Sequence, residues 1–319
     1  MSAPDDRLIN PFTVVHYHGR PMRPLSPFEF PEHREYYVDI DHCRDEFEKF
    51  QRQFADLPMP LEAAQPVLVT GDTGCGKSAL LRRCADWLRE RLAAKDCGLD
   101  CEIIDLTWKL EATKQLAIPR RAAEVCDELC TELEARELVE EARLEELQRI
   151  RHQPDRVYGL LRSGLRPERA VIILLPSVRD LPDEVVKYVM YPLDRVFFFM
   201  ESAFLTEDDL ELIVRRCERV ITPILLRVDP LRPDDAVRFV RDRLRRHDGR
   251  GVFPRMSEAD MHTLGQIRSL SVAQLQRDLH TAYQKRLENG LRYDNEQMIT
   301  LADLGQTFDW HGIDPGTAS

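Results

Sequence analysis

Five short apolar runs punctuate the chain, Val67 to Thr70, Glu102 to Leu106, Ala170 to Leu175, Arg195 to Met200 and Ile224 to Val228, and segments with helical spacing separate them. Runs this short, alternating with helices, predict a doubly wound parallel sheet of five strands in an α/β fold. Behind the first run, Leu81, Ala85, Leu88 and Leu92 form one apolar stripe, as on a helix that packs against a sheet. Ahead of it, residues 36–54 carry Phe47, Phe50 and Phe54 at helical spacing.

Between the second and third runs, Pro119 to Pro154 is dense in charge and has no internal glycine or proline. That is about twice the length a simple crossover requires. Its apolar stripe runs through Val125, Leu129 and Leu133, then slips in phase to Leu138, Ala142 and Leu147. A bent helix or a helical pair is predicted, serving either as an arm that contacts a neighbour or as a solvated layer on the sheet.

After Val228 the pattern is purely helical. Pro233, Asp234 and Asp235 open a helix with Ala236, Val237, Val240 and Leu244 on its apolar face. A second helix begins near Ser257. A third runs from Ser271 to Asn289, closed by Gly290, with Leu275, Leu279, Ala282 and Leu287 as its stripe. A short one follows over Thr300 to Phe308. The expected organisation is an extended N-terminal arm (1–35), an α/β core (36–229) with a helical insertion near 119–154, a small helical lid (230–310) and a tail (311–319). The arm is rich in proline and aromatics, and its His16-Tyr17-His18 triplet reads as surface.

Composition narrows the function. Lys plus Arg number 45 against 56 Asp plus Glu, a net charge of −11, which disfavours broad non-specific nucleic-acid binding but permits a local basic face. No run reaches membrane-spanning length and no signal-peptide pattern opens the chain, so a cytoplasmic protein is expected. Eight cysteines scattered through helices and strands fit a reducing compartment. The pairs Cys97/Cys101 and Cys126/Cys130 share one spacing; the second would lie one helical turn apart, as metal ligands or as ordinary buried thiols.

The chemistry lies behind the first run. Gly71 to Ser78 reads GDTGCGKS, the full phosphate-loop pattern, set between a strand and a helix. Glycines 71, 74 and 76 let the backbone wrap so that successive N–H groups point at phosphate oxygens. The nucleotide-binding set is Gly71, Asp72, Thr73, Gly74, Cys75, Gly76, Lys77, Ser78 and Ala79. Lys77 neutralises the β and γ phosphates, the Ser78 hydroxyl holds Mg²⁺, and the helix N-terminus favours the anion. Cys75 is either a thiol made acidic by that helix end or simply a small residue that fits. ATP and Mg²⁺ are the expected cofactors.

A phosphate loop after the first strand and a helical lid after the fifth resemble the AAA+ ATPases, in particular their initiator clade, and the related STAND signalling ATPases. The segments Ile221 to Leu244 and Ile299 to Leu304 look like that group's fifth-strand-to-lid junction and last lid helix. The resemblance implies an acidic pair at the end of the third strand, yet Val171 to Ser177 reads VIILLPS, with Pro176 and Ser177 in that place. Neither residue serves as a carboxylate base. Glu201, ending the fourth strand, is the preferred substitute, since the resemblance sets that strand beside the phosphate loop. Alternatively, Glu201 or Ser202 senses phosphate without catalysis, or Glu201 is merely solvated. Asp105 and Asp180 are further acids near strand ends. Arginine fingers in assembling members precede the fifth strand, where Arg215, Arg216 and Arg219 stand. The group's second arginine, near the start of the third lid helix, is replaced by Ser271, Val272 and Ala273 unless Arg268 or Arg277 supplies it.

The resemblance thus implies an ATP-binding switch or assembly ATPase with weak or partner-stimulated hydrolysis. It would form a homo-oligomer and act on a separate effector protein, by analogy in a bacterial defence or signalling system. The alternatives are a DNA-handling helper ATPase of the loader or transposition type, using the arginines of 143–169 and 238–250, or an ATP-binding scaffold without turnover. No winged-helix segment follows Phe308, and no substrate pocket for a small-molecule kinase is evident.

Overall fold

Chain segments that bury an apolar stripe against the five runs, and those that bury one elsewhere, sort into two compact units in the computed structural model: residues 45–72 with 77–228, and residues 1–44, 73–76 and 229–319. The structure describes residues 7–17, 19–55, 64–94, 97–107, 116–177, 182–191, 194–203, 205–267, 270–289 and 293–305.

The larger unit holds the sheet. Its strands are β1 (Val67–Thr70), β2 (Asp100–Asp105), β3 (Arg169–Leu174), β4 (Val196–Ser202) and β5 (Ile224–Arg227), all parallel in the order β2-β3-β4-β1-β5. Central strands covered on both faces have no reason to alternate polar with apolar, which is why they appear as continuous apolar runs. β1 is buried at all four positions. On one face lie α1 (Asp41–Gln53), through its residues from 45 onward, and α2 (Lys77–Ala93). Phe50 meets Phe199 edge-on at 5.9 Å and Trp87 at 5.8 Å, and Phe54 meets Phe197 at 6.2 Å. Leu81, Ala85, Leu88 and Leu92 are all buried, as the stripe predicts.

The other face is covered by α3 (Ile118–Ala135), α4 (Glu141–Ile150), α5 (Pro154–Gly164), α6 (Pro182–Val189) and α7 (Glu207–Cys217). The phase slip is a break between α3 and α4, where Glu137 adopts a φ of 53° and Val139 bridges Leu165. Val125, Leu129, Leu133, Leu138 and Leu147 all enter the sheet-face core with Leu68, Ile173 and Phe198. This segment is therefore a helical layer. Ala142, placed on the stripe by spacing, is exposed instead; α4 begins a new phase and buries Leu147 and Ile150. Between α3 and α6, Arg121 and Glu184 form an ion pair with both side chains only 4% exposed.

The smaller unit contains α8 (Pro233–Arg246), α9 (Glu258–Gly265), α10 (Val272–Glu288) and α11 (Leu301–Gly305). Ser257 and Ser271 cap α9 and α10, accepting from Asp260 N and Gln274 N. The purely helical expectation needs one correction: β6 (Arg255–Met256) and β7 (Met298–Ile299) pair as a two-stranded parallel sheet. Strands of two residues carry no periodic signal. The N-terminal arm packs within this unit. Phe12 joins the core beside Tyr283, at a ring separation of 5.2 Å, Asn10 donates to His280 O at 2.9 Å, and Leu8 bridges Val252. The arm includes a 3-10 turn, Pro31–Tyr36. In the triplet, His16 is exposed but Tyr17 is buried in a small cluster with Val14 and Tyr36, while His18 lies outside the described residues. So do Gly290, Phe308 and the 311–319 tail. Among the described residues, no helix is long and apolar enough to cross a membrane.

Candidate nucleotide-binding site

The chain leaves β1 at Thr70 and enters α2 at Lys77, so six residues of the phosphate loop connect the strand to the helix. All three of its glycines take positive φ: 138° at Gly71, 85° at Gly74 and 90° at Gly76. At Gly71 a side chain is excluded outright, because a Cβ would stand 1.8 Å from the Val228 carbonyl oxygen. At Gly74 the constraint is a close approach within the smaller unit, with Ser271 Oγ 2.8 Å from a Cβ.

Lys77 is 7% exposed, and its Nζ donates to Gly71 O at 2.8 Å and Asp72 O at 2.7 Å. The ammonium is thereby folded under its own loop at the N-terminal end of α2, where unpaired N–H groups concentrate positive potential. Asp72 and Thr73 are exposed, Cys75 is buried, and Gly74, Gly76, Ser78 and Ala79 are half-buried. The Ser78 hydroxyl has no partner among the described residues, which leaves it available to an ion. Small residues where the backbone must curve, a buried ammonium and an unengaged hydroxyl suit a magnesium-bound polyphosphate.

β4 neighbours β1 in register, pairing Glu201 with Val69 and Ser202 with Thr70. Glu201 thus stands beside the strand end from which the loop departs. Among the described residues its Oε2 is buried without a hydrogen-bond partner, and so is Ser202 Oγ. The other acids fare differently. Asp105 accepts from Arg82 at 2.8 Å and from Thr107 Oγ1 at 2.5 Å, so its charge is already matched. Pro176 and Ser177 follow the end of β3 and are half-buried, and Asp180 lies outside the described residues.

No protein-family profile and no curated protein matches the sequence. Among solved structures, the ORC1 protein of Aeropyrum pernix in complex with DNA aligns with a TM-score of 0.53 at 16% identity, over 87% of this chain and 66% of that one. The ORC2 protein of the same organism, in ADPNP-ADP complexes, aligns at 0.55 and 10% identity over 88% and 72%. The Cdc6p structure from Pyrobaculum aerophilum follows at 0.50 and 12% over 82% and 67%. The chain shares the fold of these ORC1, ORC2 and Cdc6p structures. Identities this low establish the fold alone, and the chain spans about two thirds of the ORC1 structure.

Within this fold the remaining candidates separate. Arg215 pairs with Glu211 at 3.1 Å on the exposed side of α7, and Arg216 pairs with Asp183. Arg219 is exposed with no partner among the described residues. Arg277 bonds Asp278 at 3.1 Å, and Arg268 lies outside the described residues. The turn Ser271 to Ala273, read from sequence as a lost contact, is engaged in another way: Ala273 N donates to Gly74 O at 3.0 Å. The only signal for this was the run of small residues at that helix start.

Among the described residues no group of His, Cys, Asp and Glu is arranged to hold an ion. A hydrogen bond with Cys130, then burial, pushes the Cys126 thiol far up, and burial does the same to Cys101, so both stay protonated.

Proposed function

We propose that this chain is an ATP-binding switch or assembly factor of the AAA+ type, with weak or partner-stimulated hydrolysis, acting on a separate effector protein. The observation that carries this reading is the phosphate loop, with its three positive-φ glycines and the buried Lys77 at the head of α2. Backbone N–H groups of Gly71 to Ala79 receive the phosphates, Lys77 supplies the neutralising charge and the Ser78 hydroxyl holds Mg²⁺. Bound MgATP would supply a transferable γ-phosphoryl group. The Glu201 carboxylate, buried and without a partner on Oε2, is the proton acceptor for the attacking water, and Ser202 beside it reports the phosphate state.

Hydrolysis is weak in this reading because Pro176 and Ser177 stand where two acids would hold the metal and polarise water. A homo-oligomer supplies what one protomer lacks. Arg219 is free to reach a neighbour's phosphate, and the exposed pairs of Arg215 and Arg216 are of a kind worth about 1 kcal/mol or less, readily exchanged for a phosphate. A bacterial defence or signalling system remains the setting by analogy.

Phosphate release and solution mass, measured together on the pure protein with ATP and Mg²⁺, test this. Wild type should hydrolyse slowly and assemble, and Lys77→Ala should do neither. Equal nucleotide binding by Lys77→Ala would overturn the reading.

A DNA-handling role draws support from the ORC1 structure, which is a DNA complex. Against it, the arginines of 238–250 are largely matched by acids: Arg238 with Asp235, Arg241 with Glu258, Arg246 with Asp242. A salt-dependent shift with DNA, lost when Arg243, Arg245 and Arg246 are changed together, would favour this alternative.

A further inference from the structure

Away from the phosphate loop, the smaller unit holds a cavity of about 250 Å³ between the Pro31–Tyr36 turn and the C-terminal end of α8. Tyr36 and Val15 give it apolar walls, while Arg246, His247 and Arg250 bring basic groups to it. Behind Tyr36 lies Arg243, 4% exposed, its guanidinium carbon 5.0 Å from the Tyr36 ring centroid and 4.9 Å from that of Phe239.

The polar atoms here are unusually short of partners. Arg243 Nε and Nη1 and His247 Nε2 are all buried and unbonded, and the Arg250 side chain has no partner among the described residues. Among the described residues, Arg246 is the basic group with an acidic partner, donating to Asp242 at 2.5 Å. Two acids also line the cavity: Glu32, which lies 3.9 Å from His16, and Glu35, which has no partner among the described residues. With His247 neutral, the cations are Arg246 and Arg250 at the wall and Arg243 behind it, against the two glutamates. The Arg250 guanidinium at the wall is a donor without a complement among the described residues, so the missing partner is an acceptor with negative charge.

We propose that this cavity binds a small oxyanion, a phosphomonoester carried on a compact organic body. Its volume is roughly eight times the ~30 Å³ share of a liquid water and sits at the small end of ligand pockets, which suits an oxyanion with a small group against the Tyr36 ring. Burial and then the Arg250, Arg243 and Arg246 cations hold the His247 imidazole below its usual range, so it is neutral near neutral pH. An anion seated among these groups would reverse the cationic contribution and raise it.

The experiment uses the full chain carrying Lys77→Ala, so that the phosphate loop does not report. Inorganic phosphate and phenyl phosphate are titrated by calorimetry, and the His247 ring is followed by NMR. One saturable site is expected, with phenyl phosphate tighter than inorganic phosphate and the His247 titration moved upward. Arg250→Ala, an exposed change, should weaken binding roughly tenfold. Glu35→Gln should strengthen it, an opposite response that loss of folding does not mimic. Absence of saturable binding, or binding that neither Arg250→Ala nor Glu35→Gln alters, would overturn the proposal. Equal affinity for the two probes would remove the organic body from it.

Discussion

Ala273 donates its backbone N–H to the Gly74 carbonyl at 3.0 Å, so the first turn of α10 is bonded directly to the tip of the phosphate loop. Ser271 and Ala273 permit this because both are small: atoms of each lie within 3.3 Å of the point where a Gly74 Cβ would stand. A long side chain at that turn would hold the two backbones apart. Substituting Ala273→Pro removes the donor while keeping a residue acceptable in a first helical turn, as Pro119 shows in α3. Amide exchange at Gly74 to Gly76 should accelerate, with a stability loss of about 1 kcal/mol. Unchanged protection would mean the bond carries no weight.

The loop glycines should differ in cost. Gly74→Ala must place a side chain at a φ of 85° against a Ser271 hydroxyl, for roughly 1–2 kcal/mol in the left-handed region. Gly71→Ala meets backbone instead, a carbonyl oxygen that has no rotamer to change. Thermal unfolding without nucleotide should therefore show a far larger drop for Gly71→Ala, and equal drops would contradict the geometry.

Glu201→Gln should retain ATP binding and slow turnover by roughly 10²–10⁴-fold, as loss of a general base does. Oε2 is buried without a partner among the described residues, and an amide atom in its place is equally unpaired, so melting should stay level. Unaltered phosphate release would reject Glu201 as the base.

Breaking the Arg121–Glu184 pair from one side should be costly. Both side chains are buried, so Glu184→Ala strands a guanidinium, with an expected loss of about 3–5 kcal/mol in denaturant unfolding. The double change Arg121→Met with Glu184→Leu should recover most of it. A double variant as unstable as the single would show that the pair, rather than its desolvation, sets the cost.

The N-terminal arm should loosen in mild acid. His33 is fully buried, its Nδ1 accepting from Ser26 N at 3.1 Å and its Nε2–H donating to Val15 O at 2.9 Å. Burial holds its pKa below 6.5, and burial also lowers His247 and His280 in the same unit. The unfolded chain binds more protons than the folded one below that value. Stability is thus present above about pH 6.5 and falls as acid is added. Melting temperature followed from about pH 7 to about pH 5 should decline, and His33→Gln should flatten that decline. A slope that His33→Gln leaves intact would assign the effect elsewhere.

The strands were legible because a buried parallel strand has water on neither side, and an unbroken apolar run is the direct imprint of that environment. The phosphate loop was legible because its geometry demands particular residues at particular places: glycine where φ is positive, and lysine at the helix start. Local rules of this kind leave their mark on neighbouring residues in the chain. Ala142 shows where such rules stop, since a stripe extended by spacing alone cannot tell that a new helix has begun in a new phase.

What the sequence by itself determined was the alternation of five runs with helices, the loop from Gly71 to Ser78 and the absence of acids at Pro176 and Ser177. Tertiary structure alone decided the rest. It brought Glu201 beside Val69, tied Asp105 to Arg82, joined Ala273 to Gly74 and buried Arg243 behind Tyr36. Each of these joins residues far apart in the chain. Strand order and helix docking are settled by burial of whole faces, a cooperative property of the folded chain that no local spacing records.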